Sequence, residues 1–197
     1  MFTPKGSITI ITGPMFSGKS EITLRALRRD QIARRNVLLL RHIIDDRTPP
    51  EIVVSRSGAS FPSVALSSAA EIVGTVQAAQ ADVVAIEEGE FWDAGIVEAV
   101  TQLAAKSLKV IVNGLNQDFR GLPFGAMPQL LALADEIILL SAVCQVCGEE
   151  ATKTQRLNAD GSPASAQSEL LVVGGLEAAP AQQYRYEARC RRHHFVG

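Results

Sequence analysis

Short, almost continuously apolar segments alternate with longer amphipathic segments along the first 140 residues of the chain. Continuous apolar runs are typical of strands that are covered on both faces, and they predict strands at 7–12, 37–40, 82–87, 109–114 and 136–140. Helices are predicted between these strands, over 19–35, from a capping-box pattern at 68–71, and over 91–106. The alternation predicts an α/β fold, in which a parallel sheet carries helices on both faces.

The pattern of apolar positions changes near Ser141. A Cys-x-x-Cys pair, a polar stretch over 158–168, a short apolar strand predicted at 169–173 and an Ala/Gln-rich linker follow. Because this part shows no helix-length apolar pattern, we expect it to need a staple to hold its structure. The sequence therefore predicts two domains, residues 1–140 and residues 141–197.

The composition narrows the class of protein. The chain has 197 residues, of which 47% are hydrophobic and 20% charged, and its net charge is −2. These values are typical of a globular protein with one core, and the slightly acidic balance argues against a nucleic-acid partner. No apolar run reaches the ~18 residues of a membrane span, and the first residues lack the pattern of a signal peptide. We therefore expect a cytoplasmic protein without a membrane partner.

A glycine-rich segment follows the first predicted strand directly. It fits the G-x-x-x-x-G-K-[ST] pattern of a phosphate-binding loop and consists of Gly13, Pro14, Met15, Phe16, Ser17, Gly18, Lys19 and Ser20. The glycines let backbone N–H groups converge on an anion, and the next helix points its positive end at it. In such loops the lysine reaches the outer phosphates and the serine hydroxyl binds Mg²⁺. The sequence predicts a nucleoside triphosphate site of the P-loop NTPase type; a glycine-rich turn without a ligand is the alternative.

Two adjacent acids, Glu87 and Glu88, end the predicted strand 82–87. Ligands of nucleotide-binding α/β folds lie at the carboxyl ends of strands, where one acid can hold a metal and its neighbour can act as a base. Side chains alternate along a strand, so the two carboxylates can face different partners. A solvated pair at a helix start is the alternative, because acids are favoured there by the helix dipole.

Three cysteines and a histidine form two pairs in the last third of the chain. Cys144 and Cys147 make the first pair, and Cys190 and His193 make the second, with 42 residues between the pairs. This pattern predicts a tetrahedral, structural zinc site that clamps the two ends of a long loop. His194 is an alternative to His193 as the fourth ligand.

Eight segments together resemble one known family, and they appear in that family's order along nearly the whole chain. They are "GPMFSGKSE", "IIDDR", "SRSG", "AIEEGEFW", "VIVNGLNQDFRGLPFG", "AVCQVCGEEATKTQR", "VVGG" and "YEARCRRHH". The chain resembles the type II thymidine kinases, the zinc-containing cytosolic thymidine kinases. The resemblance implies transfer of a phosphoryl group from ATP to thymidine, with Mg²⁺, to give thymidine monophosphate. Deoxyuridine, which lacks one methyl group, would be a poorer substrate.

The resemblance also implies roles for particular positions. Glu88 would be the general base, Arg47 would bind phosphate, and Asp45 would join Ser20 and Glu87 at magnesium. The implied nucleoside-binding positions are Met15, Phe91, Leu115, Phe119, Phe124, Thr154, Arg156, Leu170, Val172, Gly174 and Tyr186. A zinc-anchored C-terminal segment, the lasso, would close over the nucleoside. A homotetramer and feedback inhibition by thymidine triphosphate are implied as well.

Several positions depart from the family pattern, and they keep two other functions open. Glu87 replaces an Asp, Glu90 a Gln, Asn116 an Asp and Arg41-His42 a Lys-Pro pair, and ten residues separate Gly175 from Tyr186. One alternative is an ATPase whose zinc segment contacts nucleic acid. The other is a nucleotide-binding regulator of the same fold that has lost its activity.

Overall fold

A six-stranded parallel sheet lies at the centre of the computed structural model, which describes residues 6–45, 49, 51–55, 58–170 and 184–197. The strands are β1 (Ser7–Thr12), β2 (Val37–His42), β3 (Ile52–Val54), β4 (Ser60–Pro62), β5 (Val64–Leu66), β6 (Val83–Ile86), β7 (Lys109–Gly114), β8 (Glu136–Leu139), β9 (Ala142–Val143), β10 (Glu150–Ala151), β11 (Lys153–Asn158) and β12 (Tyr184–Arg189). The α-helices are α1 (Lys19–Ile32), α2 (Ile72–Ala78), α3 (Gly95–Ala105) and α4 (Met127–Leu133). The central sheet has the strand order β5-β2-β6-β7-β1-β8.

Both faces of this sheet are covered, as the continuous apolar runs predicted. On one face, Leu24 and Leu27 of α1 pack with the β3–β4 hairpin against the sheet. On the other face, α2, α3 and α4 pack against it, and Val100 and Leu103 of α3 are fully buried. The parallel α/β fold with helices on both faces is thereby confirmed.

The observed helices are shorter than the predicted ones. α1 ends at Ile32, three residues before the predicted end at residue 35, and Arg34 has the left-handed φ of 61°. The predicted helix 91–106 begins only at Gly95, because Asp93 Oδ1 accepts a hydrogen bond from Gly95 N at 2.8 Å. The capping box at Ser68 is present and opens a 3₁₀ turn that leads into α2.

Short antiparallel ribbons follow the central sheet. β9 pairs with β10 over two residues, and β11 pairs with β12 over six residues. Glu169 and Leu170, the first two residues of the strand predicted at 169–173, are not in a strand. The other three residues of that predicted strand lie outside the described residues. Among the described residues, no helix is long and apolar enough to cross a membrane.

Candidate active site

The glycine-rich loop joins β1 to α1 at the carboxyl end of the sheet. Gly13 and Gly18 have φ values of 152° and 85°, a region that favours glycine. A Cβ at Gly13 would overlap the backbone oxygen of Leu140, so no larger residue fits this position without a shift of the backbone. Gly18 is the N-cap of α1, whose first residue is Lys19. The loop thus places a lysine and a helix N-terminus at the same point, as a phosphate site requires.

Two side chains of this segment, Ser17 and Lys19, donate hydrogen bonds to backbone oxygens of the same loop. Lys19 Nζ donates to the backbone oxygens of Gly13 at 3.3 Å and Pro14 at 3.0 Å. Ser17 Oγ donates to Pro14 O at 2.8 Å. The ammonium group therefore lies across the mouth of the loop, within reach of an anion bound there.

Ser20 and Glu87 come together although 67 positions separate them. Ser20 Oγ donates to Glu87 Oε2 at 2.9 Å, and Asn113 Nδ2 donates to Glu87 Oε1 at 2.6 Å. Glu87 is only 2% exposed, and Trp92 Nε1 donates to its backbone oxygen at 3.0 Å. A hydroxyl and a carboxylate oxygen are hard donors of the kind that Mg²⁺ prefers, so this pair fits the predicted magnesium site.

Glu88 lies next along the chain and has an unusual backbone. Its φ of 52° and ψ of 57° are left-handed, a conformation that is strained for a residue with a side chain. Its N–H donates to Asn113 Oδ1 at 3.2 Å. The Asn113 side chain therefore holds both acids, the carboxylate of Glu87 and the backbone of Glu88. The side chain of Glu88 is half-buried, whereas that of Glu87 is buried.

Glu90 is a third acid in the same turn and is 4% exposed. Burial raises the pKa of its carboxyl group well above the usual value, and the neighbouring negative charge of Glu88 raises it further. The positive charge of Lys19 acts on this pKa in the opposite direction. The acid is thus favoured in its neutral form.

Aromatic side chains and a buried arginine lie beyond the acids. The rings of Phe91 and Phe124 meet edge to face, with centroids 5.9 Å apart. The guanidinium carbon of Arg156 lies 3.5 Å from the centroid of Phe119 and 4.6 Å from that of Tyr184. Arg156 is fully buried, and its NH1 group donates to the backbone oxygen of Glu169 at 2.7 Å.

The β11–β12 ribbon is attached to the phosphate loop. Thr154 Oγ1 accepts a hydrogen bond from Met15 N at 3.0 Å. Side chains alternate along a strand, so Thr154 and Arg156 lie on one face of β11, and Tyr186 is the direct cross-strand partner of Arg156. Tyr184 has the same orientation as Tyr186, two residues away. One face of the ribbon thus carries these side chains on the side that contacts the loop.

Three of the remaining predicted site residues are described by the structure, and three lie outside the described residues. Asp45 lies near Arg41, with Oδ2 3.9 Å from a guanidinium nitrogen. Leu115 is buried at the end of β7, whereas Leu170 is 37% exposed. The predicted positions Arg47, Val172 and Gly174 lie outside the described residues.

Four side chains form a compact cluster beside the two ribbons. The ligand atoms of Cys144, Cys147, Cys190 and His193 all lie within 4.8 Å of one another. Cys147 Sγ and Cys190 Sγ are 3.8 Å apart, and Cys190 Sγ is 3.3 Å from His193 Nδ1. A tetrahedron with Zn–S bonds of about 2.3 Å has S···S edges of about 3.8 Å, so the geometry fits a structural zinc ion.

Two thiols of the cluster have pKa values shifted in opposite directions. A backbone hydrogen bond from Glu149 acts to lower the pKa of Cys147, but burial and the neighbouring Cys144 and Cys190 raise it. Burial acts to raise the pKa of Cys144, but hydrogen bonds from the backbone of Cys190, Val146 and Cys147 and from the His193 side chain lower it to about 5. A thiolate is the form that binds zinc.

The second histidine of the pair lies elsewhere. His194 Nε2 lies 2.8 Å from the backbone oxygen of Phe119, away from the sulfur atoms. Of the two candidates, His193 is therefore the histidine that joins the described cluster.

Sequence reasoning missed two residues of the site. Asn113 lies inside the predicted strand 109–114, where the apolar pattern gives it no role of its own. A buried amide near a strand end is nevertheless a signal, because such a group needs hydrogen-bond partners. Tyr184 is not among the predicted site residues, although the sequence YRYEAR over 184–189 alternates apolar and charged residues as a half-buried strand does.

The sheet order and the strand-to-helix loop define the P-loop class of α/β proteins. Within this class, the chain belongs to the thymidine kinase family, whose model matches residues 6–194. Membership supports phosphorylation of thymidine in general and identifies the protein as a kinase, a transferase of phosphoryl groups.

Proposed function

We propose that the protein transfers the γ-phosphate of ATP to the 5′-hydroxyl of thymidine, with deoxyuridine as a secondary substrate, and so supplies thymidine monophosphate for DNA synthesis. The observation that carries this proposal is the meeting of four groups at the carboxyl end of the sheet. Lys19 and Ser20 lie at the helix N-terminus, and Glu87 and Glu88 follow β6, with Ser20 Oγ bonded to Glu87 at 2.9 Å.

The residues of this chain divide the work as follows. The backbone N–H groups of the loop and Lys19 bind the phosphates and orient them for transfer. Ser20 and Glu87, with Asp45, are the proposed magnesium positions; a bound Mg²⁺ would neutralise charge on the β- and γ-phosphates. Glu88 accepts the proton of the 5′-hydroxyl as that oxygen forms its bond to phosphorus.

The nucleoside is proposed to lie between the phosphate loop and the β11–β12 ribbon. Thr154 and Tyr186 lie on the ribbon face that contacts Met15, while Phe91 and Phe124 add an apolar wall. Such a wall excludes water, which would otherwise compete with the 5′-hydroxyl for the phosphoryl group. The metal cluster fixes one end of the ribbon. The two domains, the cytoplasmic location, the homotetramer and inhibition by thymidine triphosphate stay predictions.

The first experiment measures ADP and nucleoside monophosphate after incubation of the protein with ATP, Mg²⁺ and one of five nucleosides. These are thymidine, deoxyuridine, deoxycytidine, deoxyadenosine and deoxyguanosine. ADP that appears only with thymidine, and more weakly with deoxyuridine, supports the proposal. ADP release without any nucleoside indicates an ATPase. Nucleotide binding without turnover indicates the regulator.

Replacement of the proposed base tests its role separately. Glu88→Gln keeps the size of the side chain but cannot accept a proton, so turnover falls by about 10²- to 10⁴-fold. The affinity for ATP stays nearly unchanged, because Glu88 does not bind the phosphates. Turnover at the wild-type level would exclude Glu88 as the base.

A further inference from the structure

A small pocket lies beside the start of the phosphate loop and is not used in the proposed reaction. Its volume is about 200 Å³. Its walls are formed by Gly13 and Pro14 of the loop, the end of β8, the segment after β7 and the residues at the start of β11. Pockets for drug-sized ligands measure about 300–1,000 Å³, so this one suits a small ion rather than a whole nucleotide.

Two cationic side chains, Lys153 and Arg191, line this pocket. Lys153 is only 8% exposed, and its Nζ donates to Gln117 Oε1 at 2.7 Å. An ammonium group has three N–H donors, and the described residues provide this one acceptor. Burial lowers the pKa of Lys153, and the positive charge of Arg191 lowers it further. Two positive charges therefore lie near each other at this pocket.

The described lining of the pocket contains no Asp or Glu that could balance these charges. In the part of the chain that the structure describes, neither cation makes an ion pair with a carboxylate. The other polar side chains of the segment after β7, Asn116 and Gln117, are neutral amides, and Asn116 replaces the Asp of the family pattern. A buried cation without a counter-charge is unfavourable, so the lining is complementary to an anion.

We propose that this pocket is a binding site for a free oxyanion of the phosphate type, separate from the site of the transferred phosphoryl group. The four oxygen atoms of a tetrahedral dianion can accept hydrogen bonds from Lys153, Arg191 and an amide at the same time. A carboxylate carries a single charge on two oxygen atoms, so it satisfies fewer of these donors.

The pocket is distinct from the proposed nucleoside site. Side chains alternate along β11, so Lys153 lies on the face opposite to Thr154, which accepts a hydrogen bond from Met15 N. Lys19 is not among the described residues that line the pocket. The first two residues of the phosphate loop do line it, and their carbonyl oxygens accept hydrogen bonds from Lys19 Nζ. A bound anion therefore lies next to the peptide groups that hold the lysine of the loop.

Equilibrium dialysis of the purified protein against radiolabelled inorganic phosphate, without nucleotide, tests the proposal. The phosphate loop binds phosphate as well, so we expect two saturable sites per chain in the wild type. Lys153→Met removes one of them, because loss of a charge-assisted hydrogen bond weakens binding by about 10- to 100-fold. Lys19→Met removes the other. Lys106→Met, at an exposed lysine after α3, is the control that keeps both.

A second variant makes the test independent of the buried lysine. Asn116→Asp adds a carboxylate to the pocket lining, so the chain itself supplies the missing negative charge. We expect this variant to lose the same phosphate site as Lys153→Met and to keep the site that depends on Lys19. Acetate at the same ionic strength should not displace phosphate from the Lys153 site. Circular dichroism and metal content identify the variants that are folded.

Three results would overturn the inference. One is a wild type with a single phosphate site, which Lys19→Met removes. Another is a second site that persists in either folded variant, Lys153→Met or Asn116→Asp. The third is displacement of phosphate from this site by acetate, which would assign the pocket to carboxylates. None of these results involves turnover, so they are distinct from a failure of the proposed function, which shows as missing thymidine-dependent ADP.

Discussion

Asn113 holds both acids at the end of β6, so its removal is the most direct test of the site's architecture. The side chain is 1% exposed and makes three hydrogen bonds. Its Nδ2 donates to Glu87 Oε1 at 2.6 Å and to Thr23 Oγ1 at 2.8 Å, and its Oδ1 accepts from Glu88 N at 3.2 Å. Asn113→Ala removes all three at once and leaves the surrounding main chain intact.

The size of the effect follows from these bonds. Loss of a hydrogen bond to a charged group such as Glu87 costs about 1.5–3 kcal/mol, and a buried N–H left without an acceptor costs about 1–3 kcal/mol. Because Glu87 keeps its bond to Ser20 and the two losses share one side chain, they do not add fully. We expect the free energy of unfolding to fall by about 2–4 kcal/mol. The Tm would then fall by about 4–16 °C for a chain of this length.

Asn113→Ala should also lower the activity. Glu87 and Glu88 lose their common support, and a displacement of about 1 Å in catalytic groups costs on the order of 10²-fold in rate. Urea unfolding and steady-state kinetics with ATP and thymidine measure the two effects.

A second asparagine provides the control for this variant. Asn158 also makes two side-chain hydrogen bonds, to Ser162 Oγ at 2.9 Å and Pro163 O at 3.3 Å, but in a turn at the end of β11. Asn158→Ala should lower stability without a comparable loss of kcat. The reasoning is refuted if the free energy of unfolding of Asn113→Ala is within about 0.5 kcal/mol of the wild-type value and its kcat is unchanged.

Three further variants test other parts of the structure. Cys147→Ser loses bound zinc and weakens thymidine binding, as measured by metal content and KM; retention of both would contradict the anchoring role of the cluster. Burial raises the pKa of Glu90 in the folded protein, so above the unfolded pKa of about 4.3 only the unfolded wild type has released this proton. The free energy of unfolding of Glu90→Gln should therefore rise relative to that of the wild type by about 1.4 kcal/mol per pH unit, up to the raised folded pKa. Urea unfolding at several pH values checks this slope, and Glu98→Gln should show none. Gly114→Ala places a Cβ against Glu90 and 2.8 Å from Met127 Sδ, so the unfolding free energy falls by about 1–3 kcal/mol, and an unchanged value would show that the packing can adjust.

The inner strands of the sheet could be predicted from the sequence because their physical signal is local. β1 and β7 have the predicted bounds, since each is a mostly apolar run that is buried on both faces. The phosphate loop follows from β1 by pattern alone. The start of α3 was predicted four residues too early, although Asp93, which bonds to Gly95 N, is a recognisable capping residue.

Other elements carry no such signal. β11 has the sequence KTQRLN, in which polar residues are buried because they bond to other segments of the chain. Gln155, for example, is 2% exposed and bonds to the backbone of Phe195 at 2.8 Å. Burial of this kind depends on contacts between distant segments, and a hydrophobic pattern cannot reveal it. The left-handed backbone of Glu88 and the isolation of Glu90 are likewise set by packing from β7 and the loop before α4.

The phosphate loop contacts the C-terminal ribbons at two neighbouring residues. Met15 N bonds to Thr154, and Phe16 packs against the apolar side of the cluster that contains Cys144 and Cys190. Two ligands that stabilise contacting elements are coupled, and the coupling free energy is the same in both directions. We therefore expect that removal of a metal ion from this cluster weakens nucleotide binding at the loop, and that a bound nucleotide protects the metal from a chelator by the same factor. A metal ion bound at this cluster, although it takes no part in phosphoryl transfer, would then be an effector of the phosphate site by reciprocity.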